Sequence, residues 1–119
     1  MSSSLDNAND GVRAAARAAI AAIIVANSGA ILGALAQLDT ILTFADGPTV
    51  ARAFTAWGIG ATTGLMLHVV NFLVASAFAN GRKRSERALG VVATVTALGA
   101  IGCFAFGLAI VAAAMPAAG

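Results

Sequence analysis

The sequence predicts an all-α integral membrane protein with three transmembrane helices, its N-terminus cytoplasmic and its C-terminus outside. Three observations carry that expectation. First, the stretches Ala18–Leu38, Ala53–Phe78 and Ala88–Met115 are almost free of charge. Each is long enough for a spanning helix, which takes ~20 mostly apolar residues. Second, 60% of the 119 residues are hydrophobic and 10% are charged, whereas soluble domains carry ~25% charged residues. A water-soluble bundle would need charge on every outer turn, and Ala53 to Gly81 offers none. Third, Arg13, Arg17, Arg82, Lys83, Arg84 and Arg87 flank one side of the predicted spans, and only Arg52 flanks the other. Loops rich in Lys and Arg stay cytoplasmic.

Taken in order, residues 1–12 are polar and turn-prone and read as a flexible N-terminus. The first helix is expected over about 14–44. Arg13 and Arg17 followed by Ala26-Asn27-Ser28-Gly29-Ala30 resemble a signal peptide, but the apolar run continues to Leu38. A signal core spans only ~7–15 residues, so a retained helix is expected. Asp46-Gly47-Pro48-Thr49 is a turn leading into a second helix over about 50–80, with Thr49 expected as its N-cap. Phe44, Phe54 and Trp57 gather near this outer turn, where aromatic rings favour the membrane interface. Asn80-Gly81 predicts a left-handed C-cap. The basic loop Arg82-Lys83-Arg84-Ser85-Glu86-Arg87 precedes a third helix over about 86–114, and 116–119 form a short uncharged tail. The basic loop reads first as a topology determinant and second as an inner-leaflet lipid or partner site. Basic residues near an anionic leaflet contribute on the order of 1 kcal/mol each.

Hydrophobicity does not drive helices together within lipid; close approach at small residues and interhelical hydrogen bonds do. Each helix offers small residues at four-residue spacing: Gly29 and Gly33, then Gln37; Gly60 and Gly64, then His68; Gly99, Cys103 and Gly107. These are the expected helix-packing residues, within the chain or between copies. One cysteine makes no internal disulfide, and Cys103 reads as a small packing residue. Gly58 to Gly64 is no phosphate loop, because it lacks the required glycine pattern and the preceding strand.

Ionisable and strongly polar groups inside a membrane are costly and mark candidate sites. Counting ~1.5 Å per residue places His68 ~18 Å, Asn27 ~15 Å and Thr96 ~14 Å from the inner boundary. Asn71 shares the face of His68. These four form a polar midplane whose first role is to hold the helices in register. His68 is the only histidine and a possible haem ligand; a six-coordinate iron would need its second ligand from a partner. No metal cluster, paired-carboxylate arrangement or nucleophile–His–acid set is present in the spans, so no catalytic residue is expected.

The plan of residues 13–115 and the position of His68 are similar to the small membrane-anchor subunits of succinate dehydrogenase. Those have three helices, an inside N-terminus and a haem-ligating histidine in the second. The resemblance implies a haem b- or quinone-associated anchor using His68. The Asp-Tyr pair that such anchors carry near the quinone is missing, since the matching region reads Ala77-Phe78-Ala79-Asn80.

The leading functional expectation is a non-catalytic accessory or scaffold subunit in the bacterial cytoplasmic membrane. Its expected partners are membrane lipids and other membrane subunits or copies of itself, not nucleic acid. The net charge of +2 comes mostly from the inner face. The first alternative is the haem-bearing anchor; the second is a holin-like pore former, against which the uncharged, exported tail speaks. Abundant Ala, and Arg in preference to Lys, is the association with a GC-rich bacterial genome.

Overall fold

The computed structural model describes the backbone of residues 2–115 and the side chains of residues 10–115; the tail 116–119 lies outside the described residues. The order is α1 (Ser2–Ala36), a short turn of helix α2 (Leu38–Ile41), α3 (Gly47–Ala79) and α4 (Lys83–Ala114). No strand occurs among the described residues. The three long helices lie side by side in a rod of 62 × 23 × 23 Å. Arg13, Arg17 and the α3–α4 turn mark one end of this rod as its basic end.

Three helices are long and apolar enough to cross a membrane: Asp10–Ala36, Gly47–Ala79 and Lys83–Ala114. Only 22, 17 and 11% of their most apolar windows are buried inside the molecule. Most of the apolar surface therefore faces outward, as on spans that lipid covers and unlike soluble helices with one apolar stripe. The helices adhere by a narrow seam. On α3 the buried residues Val50, Ala53, Trp57, Gly60, Gly64 and Leu67 recur at alternating steps of three and four. On α1 the same steps link Ile20, Ile23, Asn27 and, one heptad beyond, Ala34; on α4 Ala100 and Gly107 stand one heptad apart. This spacing of about 3.5 residues is that of left-handed helix packing. Helix α3 packs most extensively on α4 and less on α1, while α1 and α4 meet sparsely.

The helix ends differ in part from the sequence expectation. The helical backbone reaches back to Ser2, and α1 stops at Ala36. Gln37 (φ −116°, ψ 19°) breaks it. The turn after it brings Ile41 and Ala45 onto the core around Trp57. The N-cap of α3 is Asp46, not Thr49: the Asp46 carboxylate accepts the Thr49 N–H at 2.8 Å, with Pro48 in the first helical turn. The earlier residue wins because a cap must sit outside the helix and reach two or three residues forward. At the other end Gly81 has φ +67°. Its N–H donates to Phe78 O at 3.0 Å, and the Arg82 N–H donates to Ala77 O at 2.9 Å. That pair is the Schellman motif, which leaves orphan carbonyls satisfied and turns the chain sharply into α4.

Candidate functional site

At mid-length the three helices are joined through Asn27, which is 0% exposed. Its side-chain NH2 donates to Ile23 O on its own helix at 2.9 Å and to Ala100 O on α4 at 3.5 Å. Helix α3 passes this point only because residue 60 is glycine: a Cβ there would lie 2.6 Å from Asn27 Cγ. Asn27 Oδ1 has no conventional partner. It lies on the side of Gly60 where a Cβ would be, so the glycine leaves room for it. Since an unpaired buried carbonyl is costly, the amide is held in one orientation by its two donor bonds. One turn nearer the basic end, a Cβ on Gly64 would lie 2.8 Å from Ile24.

A second clip sits towards the opposite end. Trp57 is only 3% exposed and its indole N–H donates to Phe104 O on α4 at 3.2 Å. Gly107 makes room for the ring, since a Cβ there would lie 2.7 Å from Trp57 Cδ1. Trp57 is thus a core residue, set among Ala34, Ile41, Ala45, Val50 and Ala53, with its ring turned into the molecule. Phe54 meets it edge-on at 5.9 Å between ring centroids. The signal was in the spacing: residue 57 lies three before Gly60 and seven before Gly64, on the seam of α3.

The expected packing glycines therefore divide. Gly60, Gly64 and Gly107 are used inside the molecule, whereas Gly29, Gly33 and Gly99 have nothing within 4 Å of where a Cβ would be. Cys103 is free and half-buried. The expected polar midplane divides too. Asn27 is buried, Asn71 and Thr96 are half-buried, and His68 is exposed on the outer side of α3. The hydrogen bonds of Asn27 go to backbone carbonyls rather than to any of the other three. His68 has no side-chain hydrogen bond among the described residues, while Thr55, Thr62 and Thr94 satisfy their hydroxyls on carbonyls one turn back. No group of three or more His, Cys, Asp or Glu suited to a metal ion occurs among the described residues.

At the basic end, the Arg13 guanidinium lies 5.0 Å above the Phe78 ring, a cation–π contact that ties α1 to the end of α3. Beside it is a cleft of about 260 Å³ walled by Arg13, Arg17, Asn71, Val74, Phe78 and Glu86. Arg82, Lys83, Arg84 and Arg87 surround the adjacent turn, all four exposed. At the opposite end, Thr49 favours the Asp46 carboxylate first through its side chain and then through its N–H; Arg52 adds to this. Together they hold the Asp46 carboxyl below its ordinary range.

No protein-family model, curated protein or solved structure matches the chain.

Proposed function

We propose that this chain is a small non-catalytic accessory subunit, assembled with a larger membrane complex or with copies of itself through the helix faces its own fold leaves open. The observation that carries the proposal is His68. It projects outward midway along an apolar helix, without a side-chain hydrogen bond among the described residues. A polar ring facing hydrocarbon is costly, and such residues in spans face a protein interior or a cavity. A neighbouring helix supplies that cover. The unfilled notches at Gly29, Gly33 and Gly99 suit the same purpose, because small residues let a second backbone approach closely. The described residues hold too little mass outside the apolar helices to form a separate catalytic domain. The proposed location is a bacterial inner membrane; the distribution of Arg and Lys supports a cytoplasmic basic end.

The test is purification from native membranes in mild detergent. The chain is expected to migrate as part of an assembly, and both His68→Ala and Gly33→Leu should shift it towards free monomer. A monomer in the wild type, with no co-purifying subunit, contradicts the proposal.

Exposure of His68 also favours a second function, an anchor in which this imidazole ligates a haem b shared with the partner. Its geometry demands that the haem lie on the outer face of α3, between subunits. An optical spectrum of the native complex decides: haem content unchanged in His68→Ala removes this function.

A further inference from the structure

The sparse meeting of α1 and α4 leaves a groove along their seam, and its two ends differ in chemistry. At the basic end it adjoins the cleft of Arg13 and Arg17, which is walled chiefly by α1 and by Asn71, Val74 and Phe78 of α3, with Glu86 facing it from α4. Asn71 also walls the next recess, about 180 Å³, between Ile20 on α1 and Ala93 and Ala97 on α4, with Leu67 as floor. That recess shares Ala19 and Ile23 with a third, about 370 Å³, which is lined by alanines, Ile101 and Phe104 and ends at Asn27. Sharing Asn71 and then Ala19 and Ile23 as walls, the three follow one another as a series, with two guanidinium groups at the first and mostly apolar side chains along the rest. From Arg17 to Asn27 the series runs ~15 Å at ~1.5 Å per residue, half of a ~30 Å hydrocarbon core.

We infer that this groove is a binding site for one anionic phospholipid, its phosphate between Arg13 and Arg17 and one acyl chain lying along the α1–α4 seam towards Asn27. Arg13 and Arg17 are four residues apart and so point from one face of α1. Arginine's planar fork of donors matches phosphate oxygens. Stacking on Phe78 holds the Arg13 guanidinium at the cleft instead of leaving it to roam in water. Glu86 lines the same cleft from α4. It also walls a neighbouring recess with Lys83 and Arg87, so the surroundings stay net positive. An anionic headgroup fits that charge better than a zwitterionic one. A second copy of the chain fits it poorly, because it would bring a like-charged basic end to the same level.

The one tryptophan supplies the readout. Trp57 bonds to Phe104, which lines the far end of the groove. A chain brominated near its terminus should therefore quench Trp57 when it occupies the seam. The protein is reconstituted in phosphatidylcholine vesicles, and brominated phosphatidylglycerol or brominated phosphatidylcholine of the same chains is titrated in. Phosphatidylglycerol is expected to quench at a markedly lower mole fraction. The preference should fall about tenfold for each of Arg13→Gln and Arg17→Gln, as for loss of a hydrogen bond to a charged group, and clearly less for Arg84→Gln, whose side chain is exposed in the first turn of α4. Unchanged helix content by circular dichroism certifies each variant. Arg17→Lys, which keeps charge but not the fork, should retain part of the preference. Three results overturn the site: equal quenching by the two lipids, an equal loss in Arg84→Gln (diffuse surface charge only), or no quenching by either (the seam closed by another chain). Inorganic phosphate added to the same vesicles should not relieve the quenching by phosphatidylglycerol; relief would mean that the cleft binds free anion and the seam no chain.

Discussion

Two glycines differ in what each one faces. Gly60→Val drives a branched side chain into the Asn27 amide. The expected cost is about 1–3 kcal/mol of helix packing, read as earlier unfolding in an SDS titration followed by Trp57 emission. Gly33→Leu, where a Cβ meets nothing, should leave the isolated chain within about 0.5 kcal/mol of wild type. The same logic ranks two changes at Asn27. Asn27→Leu removes bonds averaging ~0.6 kcal/mol each in membranes and also removes the unpartnered Oδ1, so its effect should be small. Asn27→Asp is closer in shape but should destabilise more in the same titration, because a carboxylate cannot donate to the Ile23 and Ala100 carbonyls. The residue types at these positions were legible in the sequence: Asn27 stood out as a polar group at mid-depth. Its partners were not, because depth along a helix does not fix the direction a side chain points. His68, at similar depth, faces out for that reason.

Among the elements, α3 is the hub, and its start and end are set by short-range chemistry. Asp46 has a lowered carboxyl pKa in the folded state, caused by Thr49 and then Arg52. The cap thus adds stability above the ordinary carboxylate range, and the contribution disappears as pH falls through the lowered folded value. Asp46→Asn, which caps without charge, should flatten the acid side of the stability curve measured in detergent from neutral pH downward. The Asn80-Gly81 turn was legible because a left-handed position favours glycine. The N-cap was misplaced by three residues because Asp46 and Thr49 are both good caps, and only backbone geometry tells which stands outside the helix. The packing period of α3 was present in the order of Ala53, Trp57, Gly60, Gly64 and Leu67. It was masked because the helix is apolar on every side, so hydrophobic contrast does not mark the seam. Trp57 shows the consequence. Aromatic composition near a helix end suggests an interface, whereas the opposing Gly107 makes a pocket for it. Trp57→Phe should keep the packing but lose the bond to Phe104 O, at a cost of about 0.5–1.5 kcal/mol, in an SDS titration followed by circular dichroism.

At the scale of the whole molecule, the outward-facing apolar surface is the dominant fact. Three helices of spanning length bury only a minority of their most apolar windows against one another. The internal seam is knitted by close approach at Gly60, Gly64 and Gly107 together with the Asn27–Ala100 and Trp57–Phe104 hydrogen bonds between helices. That economy leaves His68, the open glycines and the α1–α4 groove for other molecules. Length and composition in the sequence were enough to show the three rods, because run length survives any detail of packing. Whether each rod crosses a bilayer, and in which sense, is an expectation from charge asymmetry and is directly measurable. In a Cys103→Ser background, Lys83→Cys and Thr43→Cys sit at opposite ends of α3. Labelled with a membrane-impermeant maleimide in intact cells and in inverted vesicles, they should react from opposite sides: Thr43→Cys in cells, Lys83→Cys in vesicles. Reaction of both from the same side, or recovery of the protein in the aqueous fraction, would contradict the account.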